Sequence, residues 1–329
     1  MSRPLTLRNG GVVALILIAI AFPFLAPSNY LIGVGVLVLI YACAAIAWNI
    51  LTGFAGQFSF GHAAWFGLGA YTSGLLLLIA HVNPWLGMVV GMLLAAAVAT
   101  VLGLITFRLK GIYFGLMTFA FALILETLAR HFSWTGGDVG FSPPVLSEDS
   151  LAMFQFATQL PYYWIGLGFL TVYMAIELAI HHGRFGYYLR AIRDDEGAAA
   201  AMGINPRQVK LMAYAISAAM TAALGTFYVQ LTLFMDPVTA FGLDRSVAIL
   251  LGAVVGGVGS LWGPLVGALV LQVINTTVNA FFKGALQGSV VNDAYAVAIV
   301  VIVLLLPGGL VTLPRKLFKV RRGRRSAGG

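Results

Sequence analysis

The chain has 329 residues, 60% of them hydrophobic and only 9% charged, with a formal net charge of +8. A soluble core of this size would not leave so little polar surface, so the composition excludes a soluble enzyme or binding module and specifies a polytopic, all-α membrane protein. A single cysteine, Cys43, excludes an intrachain disulfide.

Ten apolar segments follow in order, at 11–26, 30–51, 59–80, 84–107, 111–129, 161–181, 211–233, 246–258, 262–280 and 294–310. Most reach the roughly 20 residues that a helix needs to cross a bilayer. About ten crossings (8–10) are expected, the lower count applying if 246–280 is one merged pair and 59–80 is re-entrant. The first segment follows Arg3 and Arg8, and its sequel Ala26-Pro27-Ser28-Asn29 lacks a clean small-x-small cleavage site, so an uncleaved anchor is expected. With both termini cytoplasmic, sixteen of the 19 Lys and Arg residues fall on the cytoplasmic side. Only Arg130, Arg245 and Lys283 then face outward. Residues 1–313 form one transmembrane domain with an inward polar loop at 182–210 and an outward loop at 130–160. The basic tail 314–329 is a topology determinant lying against anionic membrane lipid, and no nucleic-acid partner is expected.

Charge inside the apolar segments is scarce. Glu126 and Glu177 are the acidic residues there, and Glu126 stands one helical turn before Arg130, the favourable order for a local pair. An ion-coupled secondary transporter would need more ionisable groups around a midplane site. Catalytic signatures are missing too. The dipeptide Gly-Lys never occurs, so there is no phosphate loop of the GxxxxGK[ST] type, and neither HExxH nor Gly-x-Ser-x-Gly is present. No catalytic residue, metal site or bound cofactor is expected, and any ATP-driven work must come from a partner.

Two stretches exceed what generic membrane packing requires. From Thr52 to Gly74 the chain is glycine-rich, and Gly53, Gly56, Gln57, Ser59, Gly61 and His62 are candidates for a translocation path; close helix packing is the competing reading. Gly257 and Ser260 repeat the spacing of Gly56 and Ser59. The second stretch is the polar loop. A helix is expected over 187–202, ended by Gly203 in a left-handed cap, and a second helix begins with Asn205 as N-cap and Pro206 in the first position. Four alanines, Ala198 to Ala201, form a small-residue face able to seat in a partner's groove, flanked by Arg190, Arg193, Asp194, Asp195 and Glu196.

Phe54-Ala55-Gly56-Gln57-Phe58-Ser59-Phe60-Gly61-His62, Lys110-Gly111-Ile112-Tyr113-Phe114, Thr135-Gly136-Gly137, Gly183-Arg184-Phe185-Gly186 and Gly256-Gly257-Val258-Gly259-Ser260-Leu261-Trp262-Gly263-Pro264, taken together, resemble LivM-type permeases of the branched-chain amino-acid ABC transporter family. The likeness runs in order from about 47 to 310. Gly197-Ala198-Ala199 with Gly203 is similar to the EAA-x3-G loop through which such permeases contact their ATPases, although Gly197 replaces the leading Glu and Glu196 stands one place earlier. The resemblance implies a non-catalytic, multi-pass subunit of a bacterial inner membrane, with 182–210 as its ATPase-coupling loop and 130–160 as its periplasmic loop. It implies a homologous LivH-like second permease chain, two cytoplasmic ATPase subunits that use ATP and Mg, and a periplasmic solute-binding protein. Leucine, isoleucine and valine are the implied solutes; urea, short amides and aromatic acids are alternatives, since similar permeases serve them.

Overall fold

The computed structural model describes residues 19–25, 28–109, 111–282 and 309–310. The expected segments 11–26 and 294–310 lie outside the described residues except for 19–25, which is helical (α1), and 309–310. Helix α2, Asn29–Asn49, starts where the Ser28 side chain accepts from the Leu31 amide, and it runs on into a π-helical turn, Ile50–Phe54. Helices α3 (His62–Ala80), α4 (Pro84–Thr106) and α5 (Ile112–His131) follow, with Pro84 in the first turn of α4 and Asn83 capping it. After two short 3-10 turns come α6 (Gln159–His182), α7 (Arg184–Asp194), α8 (Glu196–Ala201), α9 (Pro206–Thr232), α10 (Pro237–Phe241), α11 (Leu243–Gly256) and α12 (Gly263–Phe282). No strand forms among the described residues; two isolated bridges, Phe141 with Met235 and Ser150 with Gln155, tie loops together.

Among the described residues seven helices are long and apolar enough to cross a membrane, counting α2 with its π turn and α10 with α11 as one each. Three expectations change. Segment 59–80 becomes a full helix from His62 rather than a re-entrant loop, and α11 and α12 are separate helices packed on each other, so the merged-pair reading fails. The crossing expected at 246 begins earlier, which brings Arg245 inside it. The helix expected over 187–202 is broken at Asp195, because that residue takes an extended conformation and uses its carboxylate to cap a new helix.

Burial sorts the helices. Of the most apolar window in α9, 72% is buried, against 28% in α5 and 33% in α4. The outer helices therefore present Leu93, Val101, Ile105, Ile112 and Leu116 to their surroundings, as lipid-facing helices do. Between α3, α4 and α9 the backbones touch: Thr226 Oγ1 donates to the Gly69 carbonyl at 3.2 Å, and a methyl added at Gly69 or Gly225 would strike the carbonyl of Ala222 or Phe66. In a bilayer, where lipid is as apolar as leucine, such close approach by small residues is what holds helices together. The helices alternate in direction. The ends of α2, α4 and α6 and the starts of α3, α9 and α12 gather with α7 and α8 at one end of the bundle, the loop end. The 132–158 loop and α10 lie at the far end.

Candidate functional site

At the loop end, α7 buries Leu189 and Ile192, and Gly186 sits against the Ile180 carbonyl, so the helix lies on the bundle rather than projecting from it. Its charged residues divide by face. Arg190 donates to the His181 carbonyl at 3.1 Å and stacks on Tyr187, fastening the bend between α6 and α7. Arg193 donates through Nη1 to the Gly53 carbonyl at 2.8 Å. Glu196 accepts from Lys210 Nζ at 2.7 Å, and that ammonium is almost wholly buried, which ties α8 to the first turn of α9. Arg190, Arg193 and Glu196 are therefore spent on the protein's own groups. Asp194 and Asp195 stay at the surface, with Asp195 accepting from the Ala198 amide at 3.0 Å. Gly203 has φ +85°, and the amides of Gly203 and Ile204 turn back to the carbonyls of Ala200 and Ala199. Asn205 caps α9 through the Gln208 amide with Pro206 in the first turn, as the sequence predicts. What remains is an exposed crest of Tyr187, Ala198, Ala200, Ala201 and Met202, the last 81% exposed; Ala199 faces inward.

The glycine-rich residues divide as well. Ser59 and His62 are buried. His62 Nε2 lies 2.9 Å from Ser217 Oγ, which donates to the Ala47 carbonyl, and Nδ1 lies 3.2 Å from Ser59 Oγ, which accepts from the Gly61 amide. That order of donors requires the Nε2–H tautomer, inferred from the network. Trp48 Nε1 adds a bond to the Ser59 carbonyl at 2.8 Å, so Ser59, Gly61 and His62 knit α2, α3 and α9 together. Gly56 is exposed and Gln57 half-buried.

The two glycine-rich stretches meet. Asn49, fully buried at the end of α2, donates through Nδ2 to Glu177 Oε1 at 2.7 Å and to the Ser260 carbonyl at 3.1 Å, while its Oδ1 accepts from the Gly259 amide at 2.8 Å. Ser260 Oγ donates to the Gly257 carbonyl and accepts from the Gly263 amide, shaping the start of α12. A methyl on Gly53 would fall 2.7 Å from the Gly259 nitrogen, so only a bare backbone fits between them. Glu177 Oε2 finds no partner among the described residues. Sequence reasoning missed Asn49, whose partners lie 128 to 211 residues away. The available signal was that a polar amide within an apolar segment needs a partner.

Arg245, brought inside the crossing, is held by several partners. It is 8% exposed, donates to Tyr41 Oη at 2.7 Å and to the Thr239 carbonyl at 3.1 Å, and lies over the rings of Tyr228 and Phe66. Near the far end, Glu126 and Arg130 form the expected pair at 2.7 Å, joined by Asp138 at 3.2 Å.

The family described as "Branched-chain amino acid transport system / permease component" matches residues 30–307. The LivM permease protein of the high-affinity branched-chain amino acid transport system of Escherichia coli (strain K12) is 27% identical, covering 94% of this chain and 76% of LivM. The LivH permease protein of the corresponding Salmonella typhimurium (strain LT2) system is 26% identical over 83% of this chain and 92% of its own length. The ribose import permease protein RbsC of Escherichia coli (strain K12) is 31% identical over 112 residues, a third of each chain. No solved structure matches.

Proposed function

Because the chain belongs to the family of branched-chain amino acid transport system permease components, we propose that it is the LivM-like membrane subunit of an ABC importer that carries leucine, isoleucine and valine inward across a bacterial inner membrane. Its companions are a LivH-like permease chain, two cytoplasmic ATPases that bind ATP and Mg, and a periplasmic solute-binding protein. The observation that carries this reading is the family match across 30–307, and the exposed crest at 187–203 gives it a mechanism.

In this mechanism the crest seats in a groove of an ATPase, with the small side chains of Ala198, Ala200 and Ala201 allowing close approach and Met202 supplying an adaptable apolar contact. Closure of the ATPase dimer displaces α7 and α8 as one body, since the Asp195 amide bonds back to the Ala191 carbonyl of α7 while its carboxylate caps α8 through the Ala198 amide. The displacement reaches α6 and α9, which flank the loop, and changes which side of the membrane the cavity faces. At the far end, Asp138, Glu148 and Asp149 give the outward loop an acidic surface for the loaded binding protein. Selectivity rests mainly with that binding protein, because a tight site in the membrane would slow release.

The test is uptake of labelled leucine into proteoliposomes holding the full set of subunits. ATP-dependent uptake that unlabelled isoleucine and valine compete for is the expected result. Competition by urea, short amides or aromatic acids alone would reassign the solute, and uptake by this chain alone on an ion gradient would overturn the importer reading.

A further inference from the structure

The importer reading says that the loop moves the gate; the geometry at the loop end says by which bonds. We propose that Arg193, Asn49 and Glu177 form a transmission latch, through which displacement of α7 passes to the inner end of α2 and to the connection between α11 and α12, in addition to the two crossings that flank the loop. Arg193 reaches across 140 residues of sequence to a single backbone oxygen, that of Gly53. That oxygen is available because the π-helical turn disturbs the ordinary ladder: the Gln57 amide bonds to the Leu51 carbonyl and the Gly56 amide to that of Thr52. Turns of this kind recur at functional sites because they let a helix end change register locally.

From Gly53 the connection has no compressible step. Asn49 lies one turn back on the same helix and holds Glu177 of α6, the Gly259 amide and the Ser260 carbonyl with three bonds. Gly53 and Gly259 meet backbone to backbone, and a methyl on Gly259 would lie 3.1 Å from Arg193 Nη1. Guanidinium, π turn and the 257–260 connection therefore touch in one place, without a flexible side chain between them to absorb motion. A latch also needs a second position. Glu177 supplies one, because its Oε2 is buried and holds no partner among the described residues, so a guanidinium brought inward by α7 meets an unengaged carboxyl oxygen. Arg193 is a positioning residue in this account; it need not touch solute or ATPase.

The experiment uses the complete transporter in nanodiscs, with hydrogen exchange read by mass spectrometry before and after ATP is trapped on hydrolysis-deficient ATPases, and with transport per ATP measured on active complexes. In the unaltered protein, exchange at 49–60 and 256–262 responds to ATP together with α7 and α8. In Arg193→Ala the α7–α8 response persists, the response at 49–60 is lost, and solute moved per ATP falls about tenfold while hydrolysis continues. Persistence of the 49–60 response, or transport per ATP within about twofold of the unaltered value, overturns the latch. Loss of the α7–α8 response overturns it as well, since Arg193 would then be docking the ATPase. Should Arg193→Ala fail to assemble, Arg193→Lys, which keeps the charge but loses the planar fork, is expected to halve the 49–60 response; an unchanged response overturns the proposal. If the unaltered complex shows no ATP-driven uptake, the importer reading itself falls, and the latch with it.

Discussion

The two ends of the bundle are held by different kinds of interaction. At the far end a column of rings stacks face to face, Trp85 on Phe154 at 4.4 Å and Phe154 on Phe227 at 5.1 Å, and the 141–156 loop is pinned to it by Trp85 Nε1 on the Leu151 carbonyl at 2.7 Å. At the loop end the rings of Phe107, Phe114 and Tyr214 pack together as well, but α7, the end of α2 and the 257–260 connection are joined by single polar side chains on backbone groups: Arg193 on Gly53, Asn49 on Ser260 and Gly259, and Arg190 on His181. A hydrogen bond can be exchanged for another at a net cost of about 1 kcal/mol. Emptying a stacked aromatic site leaves a void that costs several times more. The joints around α7 are therefore exchangeable bonds, whereas the 141–156 loop is held by packing.

Variants at the two ends should separate along that line. Phe227→Ala, at the centre of the ring column, is expected to cost about 3–5 kcal/mol, seen as the largest drop in thermal denaturation temperature in detergent. Equal tolerance at Phe227 and at the loop end would break the comparison. Asn49→Ala removes three hydrogen bonds and leaves the buried Glu177 carboxyl without its partner, so a smaller loss of about 2 kcal/mol is expected by the same measurement. Gly203→Val meets no neighbour but forces a β-branched residue to φ +85°, at about 1–2 kcal/mol of local strain. Global stability should hardly change, while solute moved per ATP falls; unchanged coupling would remove Gly203 from the lever. The smallest effects are in labelling. A cysteine at half-buried Gln57 should react with an aqueous thiol reagent, and one at Ser59, which is fully buried, should not. Equal reaction at both would place Ser59 on the translocation path.

Local chemistry made part of this legible in advance. Gly203, Asn205 and Pro206 announce a helix end and a helix start through caps that act over three or four residues, and the structure places both there. Glu126 and Arg130 announce their pair in the same way. Asp195 was misread because its carboxylate can serve either a continuing helix surface or a cap, and its neighbours do not decide which. Arg245 was placed outside because the apolar run begins at Ser246, whereas α10 and α11 start the crossing earlier and surround the guanidinium with rings from α2, α3 and α9. The meeting of Asn49, Glu177, Gly259 and Arg193 is a tertiary arrangement of four distant pieces of chain. Glu177 was visible as a buried acid; its partner was not.

On the importer reading this subunit is moved from outside, through the crest. The most direct measurement places a photoreactive amino acid at Ala198 or Met202, in the assembled transporter, and identifies the captured subunit by mass spectrometry. Adducts to an ATPase from both positions, in complexes that still hydrolyse ATP, are the predicted result. Complexes that transport solute with ATP yet yield only lipid or intrachain adducts from the crest would contradict it.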